Sequence, residues 1–215
     1  MKNIAIFAEG GGNSFHQERE LRRGFDVFLQ SQKETARAKR IRWRLALSGG
    51  RRQTYDAFLN EIRQVDKETL VVLLVDSEGA IPGEIDNKDQ NAVNRRNHLT
   101  ERDGWDLKSV SPHQIHLMVQ CMEAWIVSDP EALAAFYGKN FHQNKLPVRI
   151  NLEEEPKDAI YDKLAQATRD TQKGEYGKIK HASKLLALID SAKVAAKCPR
   201  FKTFTTWLTA QIEAC

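Results

Sequence analysis

Leu70-Val71-Val72-Leu73-Leu74-Val75-Asp76-Ser77-Glu78-Gly79 decides the fold. Six apolar residues, three of them β-branched, run without a polar interruption and then stop at two acids and a glycine. A run that short and that uniform reads as a strand buried on both faces, the kind found in parallel sheets. Upstream, Asn3-Ile4-Ala5-Ile6-Phe7-Ala8 has the same look and stops at Glu9-Gly10-Gly11-Gly12. Between the two lies Ile41-Arg42-Trp43-Arg44-Leu45, which alternates as a half-exposed strand does and ends at Ser48-Gly49-Gly50. The stretches separating these strands carry helical stripes: Leu21, Phe25 and Phe28 in the first, Tyr55, Phe58, Leu59 and Ile62 in the second. The order β-α-β-α-β argues a parallel sheet with crossover helices.

The rest of the chain extends this frame. Residues 82–102 are polar with little periodicity and read as a long loop with some helix. Residues 114–119 read as a fourth strand, followed by a helix holding Met122, Ala124, Trp125 and Ile126. Asp129-Pro130-Glu131 has the form of a helix cap with proline at the first helical position. Residues 139–156 are irregular, and two helices close the chain, marked by Ala182, Leu185, Leu186, Ile189 and by Phe201, Phe204, Leu208, Ile212. The expected division is an α/β domain over residues 1–130 and a helical extension over 131–215 packed on the same core.

At 215 residues, 41% hydrophobic and 29% charged, with mean hydropathy -0.55, the chain builds its own core and is neither disordered nor membrane-spanning. Nothing at the start has the form of a signal peptide. Cys121, Cys198 and Cys215 are odd in number and show no C-x-x-C, which fits a reducing cytoplasm. The net charge of +4 is modest, but its placement is uneven. Between Arg19 and Arg52 the only acids are Glu20, Asp26 and Glu34, against basic residues at 19, 22, 23, 33, 37, 39, 40, 42, 44, 51 and 52.

In an open parallel sheet, ligands bind beyond the carboxyl ends of the strands. Glu9 ends the first strand, and Asp76 and Glu78 end the third. While the D-x-E segment stays extended, its outer residues point the same way. Carboxylates brought together need a cation, and hard oxygen ligands of this kind suit Mg2+ or Mn2+. Glu123 sits in an otherwise apolar helix, where an unpaired acid is costly. His113 and His116, three apart on a strand, would face opposite ways, so a zinc pair is not expected; His116 is read as a hydrogen-bonded neighbour of the site.

The pattern strand-Glu9-Gly10, then strand-Asp76-x-Glu78-Gly79, on this frame resembles the Toprim domain of topoisomerases, primases and the overcoming-lysogenization-defect nucleases. The run from His116 through Met122-Glu123-Ala124-Trp125 to Asp129-Pro130 resembles a family of small Toprim-like proteins encoded beside ABC/SMC-like or AAA-type ATPases in bacterial defence loci. The resemblance extends to about Leu208. It implies a Toprim-like (Rossmann-like), mostly parallel four-stranded sheet flanked by helices. It further implies a Mg2+- or Mn2+-dependent nuclease acting in antiviral defence with an ATPase partner, and a possible homodimer.

On that reading Glu9, Asp76 and Glu78 hold the metal, and Lys180 is the catalytic cation. Lys178, Arg42, Arg44, Arg51 and Arg52 contact the nucleic acid. The chain departs from the family in having Glu78 for the second acid of D-x-D. It also has Asn13 where nuclease members carry an acid four residues after the first glutamate; Asn13, Glu123 and His116 are the further candidates for a second metal or supporting shell. Two other readings stand beside the nuclease. One is a non-catalytic scaffold that binds the ATPase. The other is a nucleotide-binding protein using Gly10-Gly11-Gly12, against which the chain has neither G-x-x-x-x-G-K-[ST] nor G-x-G-x-x-G.

Overall fold

Residues 71–76 of the decisive run are buried within the sheet. The computed structural model describes residues 1–10, 14–65 and 68–215. Its four strands are β1 (Asn3–Ala8), β2 (Arg42–Leu47), β3 (Thr69–Asp76) and β4 (Ile115–Met118), all parallel in the order β2-β1-β3-β4. The molecule is therefore α/β, a four-stranded parallel sheet flanked by helices, consistent with a Rossmann-like fold. Because all strands run one way, their carboxyl ends share one edge. Register then fixes heights: Ala8 is level with Leu47 and with Leu74, and Asp76 is level with Met118.

Alternation along the two central strands feeds two cores. Ile4, Ile6, Ala8, Val72 and Leu74 face a layer made by α1 (Phe15–Phe28), α2 (Gln30–Ala38), α8 (Lys178–Leu186) and α10 (Pro199–Glu213). Ala5, Phe7, Val71, Leu73 and Val75 face α3 (Arg51–Gln64) and α4 (Lys88–Asp103). Phe25 and Phe58, one on each side, are fully buried, each contributing about 1.5–3 kcal/mol. Residues of α6 (Pro130–Tyr137), α7 (Lys157–Thr168) and α9 (Ser191–Lys197), such as Leu133, Leu164 and Val194, join the first core and so pack on the sheet layer rather than apart from it. The short α5 (Glu123–Ile126) lies directly after β4, wholly buried. Asp129 caps α6 as its position before Pro130 implies, accepting from Ala132 N at 3.2 Å.

Two elements differ from the sequence reading. Residues 82–102, read as a long loop with some helix, hold all but the last residue of the 16-residue α4, capped by the Asn87 side chain and closed by Gly104 in the left-handed region. Its inward stripe is Asn91, Ala92, Arg95 and Leu99; a helical period written partly in polar residues gives no hydrophobic signal. The helical stretch after β1, marked in the sequence only by Leu21, Phe25 and Phe28, is two helices, broken at Leu29, which is fully buried and leaves α2 free to lay Ala36 into the core. Among the described residues no helix is long and apolar enough to cross a membrane, and all three cysteines are free.

Candidate functional site

Beyond the carboxyl ends of β3 and β4 three charged side chains meet, Asp76, Glu123 and Lys178, and Glu9 at the end of β1 is near enough for its charge to act on Asp76. Asp76 is the last residue of β3 and is 1% exposed. Its Oδ1 accepts from the Met122 backbone N–H at 2.8 Å, and its Oδ2 lies 3.2 Å from Lys178 Nζ. Burial is the main force on this carboxyl and pushes its pKa up to about 7; Lys178 opposes that, while the negative charges of Glu123 and Glu9 add to it. Glu123 opens α5 and is completely buried. Its Oε1 accepts from Tyr176 Oη at 2.8 Å. Its Oε2 has no hydrogen-bond partner among the described residues, and its nearest cation is Lys178 Nζ at 3.9 Å.

Lys178 is the first residue of α8, entering from Gly177. Burial works to lower its pKa, but Asp76 and Glu123 outweigh it and hold the ammonium charged. Tyr176 is held neutral, first by burial and then by the Glu123 carboxylate that its hydroxyl donates to.

Glu9 follows β1 and is anchored by its N–H to Leu74 O at 3.1 Å. Its Oε2 takes Arg51 Nη1 at 3.1 Å, and the same nitrogen donates to the Asp76 carbonyl. The other side of the guanidinium makes a two-pronged pair with Asp103, Nε to Oδ1 at 3.0 Å and Nη2 to Oδ2 at 2.7 Å, and stacks over Trp105 at 5.0 Å. Burial acts to lower the Arg51 pKa, but Asp103 and Glu9 raise it above its ordinary value. Arg51 is thus a clamp that ties β1, β3 and α4 together, not an arginine free to take phosphate.

The remaining predicted residues fall into three groups. Glu78 leaves the cluster: its φ is +62°, so the D-x-E segment is not extended and the alternation that would aim it beside Asp76 is lost. Its Oε2 goes instead to Lys157 Nζ at 2.5 Å, with Arg102 Nη2 at 3.9 Å. Lys180 is exposed and donates to the Lys173 carbonyl at 3.3 Å; the lysine at Asp76 is Lys178. His116 lies lower on β4, level with Leu74, buried between Phe204 and Trp207 with Nε2 on His113 O at 3.0 Å. Burial, then Arg95, hold its pKa well below the usual histidine range, so it is a neutral core residue facing α10. His113 belongs to a 3-10 turn, Pro112–Gln114, so strand alternation never relates the two histidines.

Arg42 stands at the opposite end of the sheet, level with Asn3. Arg44 pairs with Glu61 over the Phe7 ring, and Arg52 pairs with Asp56 at 3.1 Å. Asn13, with Gly11 and Gly12, lies outside the described residues. Among the described residues no three His, Cys, Asp or Glu side chains are grouped as a ready metal site. Sequence reasoning missed Tyr176, Asp103 and Trp105, which carry no motif; Tyr176 immediately before Gly177-Lys178 was the one readable hint.

A domain-family model matches residues 8–209, a span that takes in every one of these side chains. The chain belongs to the DUF4276 family, a domain of unknown function. No curated protein matches the DUF4276 chain, and no solved structure does. What its site does must therefore be argued from Asp76, Glu123 and Lys178 themselves. Two buried carboxylates, one oxygen of which lacks a partner, are a donor set for a hard cation. Mg2+ needs only one or two protein carboxylates and keeps several waters, so Asp76 and Glu123 fit it without Glu78.

Proposed function

We propose that this DUF4276 protein is a Mg2+- or Mn2+-dependent phosphodiester hydrolase that acts on DNA or RNA. The observation that carries this is the Glu123 Oε2, fully buried beside Asp76 at the carboxyl edge of the sheet, with no short hydrogen bond among the described residues and only Lys178 at 3.9 Å to answer its charge. Two buried carboxylates sharing one ammonium are costly, and a further cation relieves them. Asp76 and Glu123 would hold the ion, with Glu9 nearby. Such an ion supplies Lewis acidity at a phosphoryl oxygen.

The protein's own groups do the rest. Lys178, already cationic, stabilises charge on the phosphate oxygens as they become more negative. Tyr176 orients Glu123 through Oε1 and leaves Oε2 for the ion. Arg51 fixes the loop after β1 to the end of β3, so the carboxylates are held at constant separation. The Toprim resemblance supports the same chemistry. It also suggests a cytoplasmic effector in antiviral defence controlled by an ATPase encoded nearby, and a homodimer.

The test is incubation of the purified chain, with and without that ATPase, with plasmid DNA and total tRNA in Mg2+ or Mn2+. Cutting that needs metal and is lost in Asp76→Ala and Glu123→Gln supports the proposal. A second reading, a non-catalytic scaffold for the ATPase, is favoured by one fact: Glu9, Asp76 and Glu78 are each already met by a protein cation, Arg51, Lys178 and Lys157. Absence of cutting with ATPase binding intact supports that reading instead.

A further inference from the structure

We propose that the groove between α1 and α2 is the track for the phosphodiester backbone of a nucleic-acid strand leading to the site. The groove has a volume of about 500 Å3 and is lined by Arg19, Arg22, Arg23, Lys33 and Arg37, with Asp26 and Glu34 as its acids. Both acids are already engaged. Asp26 takes Lys33 Nζ at 3.0 Å and Trp43 Nε1 at 3.2 Å, and Glu34 takes Gln30 Nε2 at 2.6 Å. That leaves Arg19, Arg22, Arg23 and Arg37 with no carboxylate in ion-pair reach among the described residues. Arg22 also carries a buried Nε without a hydrogen-bond partner.

Four uncompensated guanidiniums repel one another, so the groove is arranged for an anion. The anion is extended. From Arg19 to Val27 the lining runs about 12 Å along α1 at 1.5 Å per residue, and α2 continues it through Arg37. A small ion would engage one end only, whereas a strand that places a charge every 3.4 Å or so follows the whole length. Arginine rather than lysine dominates, as suits two-pronged contact with phosphate.

The groove begins on the helix that follows Glu9 in the chain. Helix α1 starts at Phe15, capped by Ser14, a few residues after Glu9. Phe15 is 79% exposed at that junction, a flat apolar face where a base can stack. Of the residues that the sequence singles out for this role, Arg42 is remote from the site, Arg44, Arg51 and Arg52 are already paired, and Lys178 belongs to the site itself.

This inference names the substrate path of the proposed hydrolase and rests on that reading, but its test does not depend on cleavage. Binding of fluorescein-labelled single-stranded and duplex oligonucleotides to the full chain is measured by anisotropy in EDTA. The titration runs from about 50 to 200 mM salt. Arg19→Gln/Arg23→Gln/Arg37→Gln is compared with Arg42→Gln/Arg52→Gln. The triple variant is expected to bind more than about tenfold more weakly and to show a log–log salt slope shallower by about 3. The double variant stays within about twofold of wild type. Equal weakening in the triple and double variants overturns the assignment. So does a wild-type chain that binds neither oligonucleotide at the lowest salt, which would leave the groove to an acidic protein surface. Tight, groove-dependent binding without any metal-dependent cutting removes the hydrolase and keeps the groove.

Discussion

The Lys178 ammonium stands 3.2 Å from the Asp76 carboxylate, and the two residues belong to elements 102 positions apart in the chain. That pair, with Glu123 behind it, is where the C-terminal helices complete a site begun by the sheet. Removing the cation leaves two buried carboxylates facing each other. A fully buried pair broken this way costs about 3–5 kcal/mol. The Lys178 side chain is 40% exposed, so water recovers much of that, and Lys178→Met is expected to lose about 1–2 kcal/mol in urea melts. Millimolar Mg2+ or Mn2+ should restore more stability to this variant than to wild type, since the ion takes over the neutralising role. A variant as stable as wild type, and indifferent to metal, would show that Lys178 compensates nothing.

The pH dependence follows from Asp76. Its carboxyl titrates at about 7 in the folded protein against an ordinary 3.8, so burial favours the protonated form. An ion binding there must displace that proton. Mn2+ affinity should climb as pH rises through 7 and level off above about 8, with close to one proton released per ion near pH 6 and almost none at the plateau. Calorimetry in two buffers of different ionisation enthalpy reads the proton count directly. The same shift acts on stability. Between 3.8 and about 7 the folded chain keeps a proton that the unfolded chain has lost, so this group's contribution falls as pH rises through that window. Asp76→Asn should flatten that part of the stability profile.

On the proposed reading Glu123, not Glu78, joins Asp76 in holding the ion, since Glu78 turns away to Lys157. Glu123→Gln should abolish measurable Mn2+ binding and metal-dependent activity together, while Glu78→Gln stays within about threefold of wild type, its loss confined to the Lys157 contact. The result that would reverse this is metal binding that survives Glu123→Gln and disappears in Glu78→Gln.

The reason this was hidden is local. Long β-branched runs such as residues 70–75 announce buried strands, and strand order follows from their parallel pairing, so Glu9 and Asp76 at the sheet edge were legible. Alternation beyond Asp76 presumes extended backbone, and the left-handed turn at Glu78 breaks that presumption. Lys178 and Lys180 look equivalent before a helix, yet two residues turn a helix by about 200°, so only one of them faces Asp76. Arg51 reads as a phosphate ligand until α4, unreadable from its polar stripe, brings Asp103 against it.

The approach of α8 to α1 makes Gly24 the residue that sets where Lys178 lies. A Cβ on Gly24 would sit 2.5 Å from the Ser183 carbonyl oxygen, five residues beyond Lys178 on the same helix. Alanine in place of glycine favours an isolated helix by about 0.8–1.0 kcal/mol. Against that, forcing a methyl into a packed backbone contact costs about 1–3 kcal/mol, and because the opposing atom is backbone rather than a flexible side chain, the upper part of that range applies. Gly24→Ala is therefore expected to lose about 1–2 kcal/mol net and to push α8 outward. The displaced helix carries Lys178 away from Asp76, so the variant should also lose part of the Mn2+-free protection of that carboxyl, seen as a further rise in its titration point by NMR. A Gly24→Ala protein that melts above wild type with an unmoved Asp76 signal would mean that the two helices do not meet at this glycine.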